Sequence, residues 1–237
     1  IEKLEEEVIS LRRDFHKHPE MGFKEFRTAE IVAEYLRECG LEVEEKVAKT
    51  GVVGLLKGKE DGKTLMLRAD MDALPITEQN DVEYKSQNEG VMHACGHDGH
   101  TAMLLAAAKV LSENRDKIKG NIKFVFQPNE ETEAARVMIN EGVLKNPDVD
   151  AAIAAHLWTP IESGKVAVSN GAVMGGLYEF EVKIIGKGGH TSAPQFSIDP
   201  IITASDIIQT VQIIQSREID PLKPTVIMFG QINGGTA

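Results

Sequence analysis

The stretch Leu65–Asp72 reads LMLRADMD, an apolar run of strand type that ends directly in aspartates. The same order returns where FVF at 124–126 leads into QPNEE, and where AAIAA at 151–155 leads into His156. Segments of helical type separate these runs, and strands that alternate with helices indicate a mostly parallel sheet with helices on both faces. The sequence therefore predicts an α/β fold. Because sites in such sheets form beyond the carboxyl ends of the strands, we expect the three polar sets to meet.

Further elements follow from the periodicity of apolar residues and from glycine and proline positions. Helices are predicted at about 101–111, 134–141 and 200–215, and strands at 41–47, 52–56, 64–67, 122–126, 151–155 (buried), 177–185 and 225–232. The strict alternation at 177–185 is typical of a half-exposed strand and differs from the buried runs before it. We therefore predict one domain over 1–174 and the start of a smaller α+β domain over 175–237.

Composition excludes several classes of protein. The 237 residues contain 26 Lys and Arg against 37 Asp and Glu, a net charge of −11, which argues against a nucleic-acid partner. A hydrophobic content of 42% is enough for a buried core, and no run approaches the ~20 apolar residues of a membrane span. Without a basic and then apolar leader, and with only Cys39 and Cys95 as cysteines, the expected compartment is the reducing cytoplasm.

The densest polar segment is HACGHDGH at 93–100. Cys95 and His97 offer a thiolate and an imidazole two residues apart, a donor pair that suits zinc and related borderline metals. Gly96 allows the tight backbone path that such spacing needs. Asp72 and Asp98 are the acids that we expect to orient ligand imidazoles by hydrogen bonds.

The adjacent acids Glu130 and Glu131 suit a hydrolase, because one carboxylate can bind metal while the other moves a proton. Taken singly, these residue types have plainer explanations. Cys95 is compatible with a buried thiol, Asp72 with a turn former, and His16 with a loop histidine. We favour a metal site because the candidates all fall at strand ends or in one glycine-rich loop.

Six motifs carry a resemblance to a known family. They are RRDFHKHPEMGFKEFRTA (12–29), RADMDALPI (68–76), HACGHDGHTAMLL (93–105), FQPNEE (126–131), AAHLW (154–158) and GKGGHTSAPQFSIDPI (186–201). In this order they resemble the dinuclear-metal amidohydrolases and carboxypeptidases related to aminoacylase (peptidase clan MH). The most similar branch holds hippurate hydrolase, bacterial N-acyl-amino-acid amidohydrolases and plant auxin-conjugate hydrolases.

The resemblance implies a zinc-exopeptidase-like domain that holds two divalent metal ions (zinc, manganese, cobalt or nickel). Cys95 would bridge them, and His97, Glu131 and His156 would supply most of the other ligands. Glu130 would be the general base and acid. The family's remaining histidine ligand is expected beyond the last residue of this sequence.

The resemblance also implies that the smaller domain is a ferredoxin-like dimerisation or lid domain, so the expected partner is a second copy of the chain. From this domain, His190 would reach the partner's active site and stabilise the oxyanion. The plainer alternative is that His190 caps its own loop.

The expected reaction is hydrolysis of an N-acyl amino acid, with no nucleic-acid or membrane partner. Glu130 would take a proton from the attacking water and return it to the leaving nitrogen. A metallo-carboxypeptidase or dipeptidase acting on short peptides is one alternative, and a non-catalytic metal-binding dimerisation fragment is another. Glu130 favours an enzyme, since a binding module has no need of a proton-transfer group.

Overall fold

The computed structural model describes residues 4–132 and 134–235 of the chain. It divides into two compact units, Ile1–Ala167 and Val168–Ala237. The first unit contains α1 (Glu5–Lys17), α2 (Phe26–Glu38), β1 (Glu42–Val47), β2 (Gly51–Lys57), β3 (Glu60–Asp70), α3 (His97–Glu113), β4 (Lys119–Gln127), α4 (Ala134–Asn140) and β5 (Ala151–Ala154). The second unit contains α5 (Pro200–Arg217).

The five strands form one sheet in the order β1-β2-β4-β3-β5. Strand β3 lies parallel to β4 and to β5, as the sequence predicts for the strands that lead into polar segments. Strand β2 is antiparallel to both of its neighbours, so the sheet is mixed. For β1 and β2 the cause is the short connection at 48–50, because two strands joined by so few residues can only pair antiparallel.

Alternating side chains of the sheet face two cores. On one face, β2 and β4 contribute Val52, Leu56, Phe124 and Phe126, which pack with residues of α1, α2 and α3. On the other face, Val53 and Val125 pack with Met138 of α4. Both cores follow from the period-2 geometry of strands, and the predicted α/β class with helices on both faces is confirmed.

The strand predicted at 151–155 forms over Ala151–Ala154, but the prediction that it is buried is wrong. All four residues of β5 are exposed. An apolar run of this length does not distinguish a central strand from an edge strand, and β5 lies at the edge of the sheet with β3 on one side.

In the second unit, the helix predicted at 200–215 is confirmed as α5. Its start is fixed by Asp199, whose carboxylate accepts hydrogen bonds from the backbone N–H groups of Ile201 (2.8 Å) and Ile202 (3.2 Å). The strands predicted at 177–185 and 225–232 are wrong, since neither range forms a strand among the described residues. Alternation indicates one apolar face, whereas a strand also requires a hydrogen-bonded neighbour.

No helix within residues 4–132 and 134–235 has the length and apolar character needed to cross a membrane. The ferredoxin-like fold of the smaller domain stays a prediction. So does the domain boundary after residue 174.

Candidate metal centre

The carboxyl ends of three neighbouring strands bring the predicted polar segments to one edge of the sheet. Asp70, the last residue of β3, is paired with Gln127, the last residue of β4. On the other side of β3, Arg68 is paired with Ala154, two residues before His156. The segments that follow β3, β4 and β5 therefore start side by side, which is the arrangement expected from the sequence.

The loop before α3 supplies the remaining donors. Gly96 has φ +91°, a left-handed conformation that a residue with a Cβ rarely adopts. This turn lets the chain enter α3 at His97 directly after Cys95. The glycine spacing noted in the sequence thus has a specific structural use.

His97 is fully buried and lies at the centre of the cluster. Its Nδ1 is 3.2 Å from Oδ1 of Asp72, so Nδ1 carries the proton and donates it to this carboxylate. Its Nε2 is left facing three carboxylates, 3.7 Å from Asp70, 3.9 Å from Glu131 and 4.0 Å from Glu130. Asp72 therefore fixes the tautomer in which Nε2 is free to bind a cation.

Cys95 and His156 form the second part of the cluster. The Cys95 Sγ is 3.5 Å from Nε2 of His156. The His156 Nδ1 donates to the backbone carbonyl of Leu157 at 2.6 Å. Its Nε2 is then unprotonated, and the lone pair of Nε2 faces the thiol. His156 is exposed, whereas Cys95 is half-buried.

The cluster contains three groups of three side chains whose donor atoms lie within 4.8 Å of one another inside each group, and His97 belongs to all three groups. The groups are Cys95–His97–His156, Asp70–His97–His100 and His97–Glu130–Glu131. The structure thus brings together the four residues predicted as metal ligands and the predicted proton-transfer residue.

The charges in this cluster fit a cation. Burial and the negative charge of Glu131 raise the pKa of the Cys95 thiol to about 12. Burial and the charges of Glu130 and Asp72 also raise the pKa of the Glu131 carboxyl, against the effect of His97. A divalent cation would stabilise both deprotonated forms.

Two orphaned polar atoms point to the same conclusion. Within the part of the chain that the structure describes, Nε2 of His97 and Oε1 of Glu131 are buried and have no hydrogen-bond partner. Burying a polar atom without a partner is costly, and a metal ion would satisfy both. The donor set of thiolate, imidazole and carboxylate suits zinc and related divalent ions.

His100 packs beneath the cluster. It lies in α3 and is buried, with Nδ1 donating to Oδ1 of Asp70 at 2.6 Å. Its Nε2 accepts a hydrogen bond at 2.9 Å from the backbone N–H of Leu157, the residue after His156. His100 thus connects the end of β3 to the segment that carries His156, a role that local sequence patterns do not report.

Asp98 contacts different groups from those expected. Its Oδ2 lies 2.7 Å from Nδ1 of His16 and 2.8 Å from Nε of Arg12, so it binds α1 and is not paired with a predicted metal ligand. The sequence suggests a loop position for His16, and this is wrong. His16 is a buried residue near the end of α1. Its Nε2 is 3.1 Å from Glu78, which ties the long loop after β3 to the same network.

His16 makes the stability of the fold depend on pH. The hydrogen bond with Asp98 and that with Glu78 raise the pKa of His16 against the effect of burial, because both ring nitrogens then donate to carboxylates. This stabilisation is complete below the unfolded pKa of about 6.5 and is lost as pH rises through the higher folded value. The groups that face His16 are Arg12, Glu78, Tyr84, His93 and Asp98.

Chemical denaturation of the His16→Gln variant tests this dependence. We expect the loss in free energy of unfolding, relative to the wild type, to be larger at pH 6 than at pH 9. His18→Gln is the control, since His18 is half-buried and its Nδ1 bonds the backbone carbonyl of Asp14 at 2.9 Å. The carboxylate of Asp14 lies farther away, at 3.4 Å, and this pair is partly exposed, so it contributes less than the two buried pairs of His16. A loss for His16→Gln that is equal at both pH values would contradict the argument.

Asp72 gives a second prediction that concerns metal affinity. Besides His97, its carboxylate accepts the backbone N–H of Glu131 at 3.1 Å, so it holds two candidate ligands in place. We expect Asp72→Asn to raise the Kd for zinc about 10–100-fold in the natural full-length protein, measured by competition with a chelator. Asp116→Asn, an exposed position after α3, is the matched control. An unchanged Kd would show that Asp72 does not support the site.

His190 belongs to the second unit and is exposed. Its Nδ1 lies 2.8 Å from the hydroxyl oxygen of Ser192 and 3.2 Å from the backbone nitrogen of the same residue. These contacts are local to its loop. The role that the resemblance implies for His190 stays a prediction.

The fold and the cluster define a class of protein: an α/β protein with a candidate divalent-metal centre at the carboxyl edge of its sheet. The family model described as peptidase family M20/M25/M40 matches residues 66–236. The chain belongs to peptidase family M20/M25/M40, and the resemblance stated from the sequence motifs is confirmed.

Two curated relatives match the whole of this chain. It is 44% identical to the N-acyl-L-amino acid amidohydrolase of Geobacillus stearothermophilus, over 64% of that protein. It is 45% identical to thermostable carboxypeptidase 2 of Saccharolobus solfataricus, over 61% of that protein. The chain therefore spans about three fifths of the length of these relatives.

Solved structures agree with the fold. A chain from methicillin-resistant Staphylococcus aureus matches with a TM-score of 0.83 and 35% identity, covering 100% of this chain and 63% of that chain. The Bacillus subtilis YXEP protein, described as a dinuclear metal binding peptidase from the M20 family, matches with a TM-score of 0.62 and 41% identity. That match covers 65% of this chain and 43% of the YXEP chain.

Proposed function

We propose that the protein containing this chain is a metal-dependent amidohydrolase that cleaves the amide bond of N-acyl amino acids. The observation that carries the proposal is the set of donor atoms around the side chain of His97. A buried imidazole nitrogen without a hydrogen-bond partner among the described residues lies within 4.0 Å of two adjacent glutamates and within 4.8 Å of a thiol and a second imidazole. Such donors suit metal-assisted hydrolysis.

Cys95, His97, Glu131 and His156 would hold the metal ions. When bound, divalent cations polarise a carbonyl and make a water molecule more acidic. The side chain of Glu130 is 40% exposed, so it can reach both solvent and substrate. In the proposed reaction, Glu130 takes a proton from the attacking water and delivers it to the leaving nitrogen, which yields a carboxylate and a free amino acid.

Hydrolysis assays on the natural full-length protein test this function. We expect the protein loaded with zinc, manganese, cobalt or nickel to release free amino acid from N-acetyl or N-benzoyl amino acids with a higher kcat/KM than from dipeptides. If it releases no amine from any of these compounds although metal is bound, the proposal is wrong and a metal-binding module is favoured.

Carboxypeptidase or dipeptidase activity is the second candidate. The name of the Saccharolobus solfataricus relative favours it, since that protein is a carboxypeptidase by name at 45% identity. The two activities share the same metal chemistry and differ in what stands on the acyl side of the amide bond. Preference for dipeptides in the same assays would establish this alternative.

The proposal also covers the oligomeric state, the cellular compartment and the identity of the metal. A homodimer through the smaller domain follows from the family resemblance, and the oxyanion role of His190 depends on it. The cytoplasm is the expected compartment, because Cys39 and Cys95 are both free thiols. Metal analysis of the natural full-length protein distinguishes zinc, manganese, cobalt and nickel.

A further inference from the structure

The turn that carries Glu130 has an unusual backbone conformation. Between the end of β4 and the short 3-10 helix Glu130–Thr132, Asn129 has φ +46°, in the left-handed region. Asparagine is one of the few residues with a Cβ that adopts this region readily, because its short polar side chain can bond locally, and its neighbours decide whether it does so. The direction in which Glu130 leaves the sheet depends on this turn.

The backbone N–H of Asn129 donates to a distant side chain. Its acceptor is Oε1 of Glu25, at 2.8 Å. The side-chain oxygen of Asn129 accepts a hydrogen bond from the hydroxyl of Thr132 at 2.8 Å. The backbone carbonyl of Asn129 accepts one from the N–H of Ala134 at 3.0 Å. Glu25 thus provides the contact that ties this turn to a residue 104 positions away in the sequence.

Glu25 is itself an unusual residue for a protein interior. Its side chain is fully buried just before α2, where Oε2 accepts the hydroxyl of Thr50 at 2.5 Å. Burial raises the pKa of the Glu25 carboxyl, and the charge of Asp72 adds to the effect. A buried carboxyl is costly, so a role beyond filling space would account for it.

Gly22 completes the fit. A Cβ at Gly22 would lie 1.8 Å from Oδ1 of Asn129, far closer than two non-bonded heavy atoms can approach. The segment 22–25 therefore approaches the turn closely enough to hold both the backbone and the side chain of Asn129. This segment belongs to the motif at 12–29, which the reaction does not otherwise use.

We propose that Glu25 is a positioning residue, which holds the backbone of Asn129 and thereby directs Glu130 toward the metal ligands around His97. This inference rests on the proposed function, in which Glu130 moves the proton. In this proposal Glu25 acts through the turn at Asn129 and is neither a metal ligand nor a proton-transfer group.

The test uses the natural full-length, metal-loaded protein and three variants. Glu25→Leu keeps a side chain of similar size and removes the acceptor. Glu25→Gln keeps an oxygen that can accept from Asn129. Thr50→Val is the matched control, because it removes the hydrogen bond to Oε2 of Glu25 and keeps the one between Oε1 and the backbone N–H of Asn129.

We expect Glu25→Leu to lower kcat about 100-fold with little change in KM or metal content, since a misplacement of about 1 Å has effects of this size. Glu25→Gln should recover most of that loss. Thr50→Val should lower Tm and leave kcat near the wild-type value. Equal losses of kcat in Glu25→Leu and Thr50→Val, or no recovery with Glu25→Gln, would overturn the inference.

Amide hydrogen exchange of the segment 126–132 supplies a readout that does not depend on activity. We expect slow exchange in the wild type and in Thr50→Val, and faster exchange in Glu25→Leu. Fast exchange of the Asn129 amide in the wild type would overturn the inference even if Glu25→Leu does not fold. If the wild type hydrolyses no N-acyl amino acid, the proposed function fails, while these exchange rates still decide whether Glu25 holds the turn.

Discussion

Replacing Glu130 by glutamine is expected to lower kcat about 10²–10⁴-fold and to leave the metal content of the full-length protein unchanged. Glutamine has nearly the same size and keeps an acceptor oxygen, but it cannot take a proton from water at neutral pH. The Glu130 carboxylate is partly exposed and lies 4.0 Å from His97, at the margin of the donor cluster. This position suits proton transfer at the edge of the site.

The matched control is Glu113→Gln. Glu113 is the exposed last residue of α3, the helix that begins at His97, so the same charge is removed about 24 Å away along one helix. We expect wild-type kcat and metal content for this control. Wild-type turnover by Glu130→Gln would remove the mechanism, and loss of metal from Glu130→Gln would make Glu130 a ligand instead.

Replacing His97 is expected to have the largest effect on metal binding. His97 belongs to all three donor groups, and its Nε2 is the buried atom that the other donors surround. We expect His97→Gln to weaken zinc binding by more than the ~10–100-fold predicted for Asp72→Asn, because it removes a ligand and not only its support. Activity should be lost together with the metal.

Zinc titration and circular dichroism of the same samples check this prediction. The circular dichroism spectrum establishes that the variant is folded, which matters because His97→Gln also removes the imidazole that donates to Oδ1 of Asp72. His18→Gln is the control, a half-buried histidine of the same unit that we expect to bind zinc normally. Wild-type affinity in a folded His97→Gln variant would exclude His97 as a ligand.

Much of the candidate centre was predictable from local sequence. The runs at 65–72, 124–131 and 151–156 each place polar residues directly after a strand, and parallel neighbours end at the same edge of a sheet. The glycine-rich loop before α3 likewise indicated where Cys95 and His97 would turn inward. These features depend on residues close together in the chain, which is why a single sequence reports them.

The contacts that support the centre were not predictable in the same way. Glu25 reaches Asn129 across 104 positions, and His16 reaches Asp98 across 82. Periodicity and spacing carry no information on such distant pairs. The predictions of strands at 177–185 and 225–232 were wrong for a related reason. Strand formation depends on a neighbouring strand that the alternating pattern does not specify.

A crystal structure of the natural full-length protein with zinc, measured on both sides of the zinc absorption edge, tests the central claim most directly. The account predicts two anomalous peaks per chain within bonding distance of donor atoms from Cys95, His97, Glu131 and His156, at about 2.0–2.3 Å. Peaks located elsewhere, with these four side chains bound to no zinc ion, would contradict it.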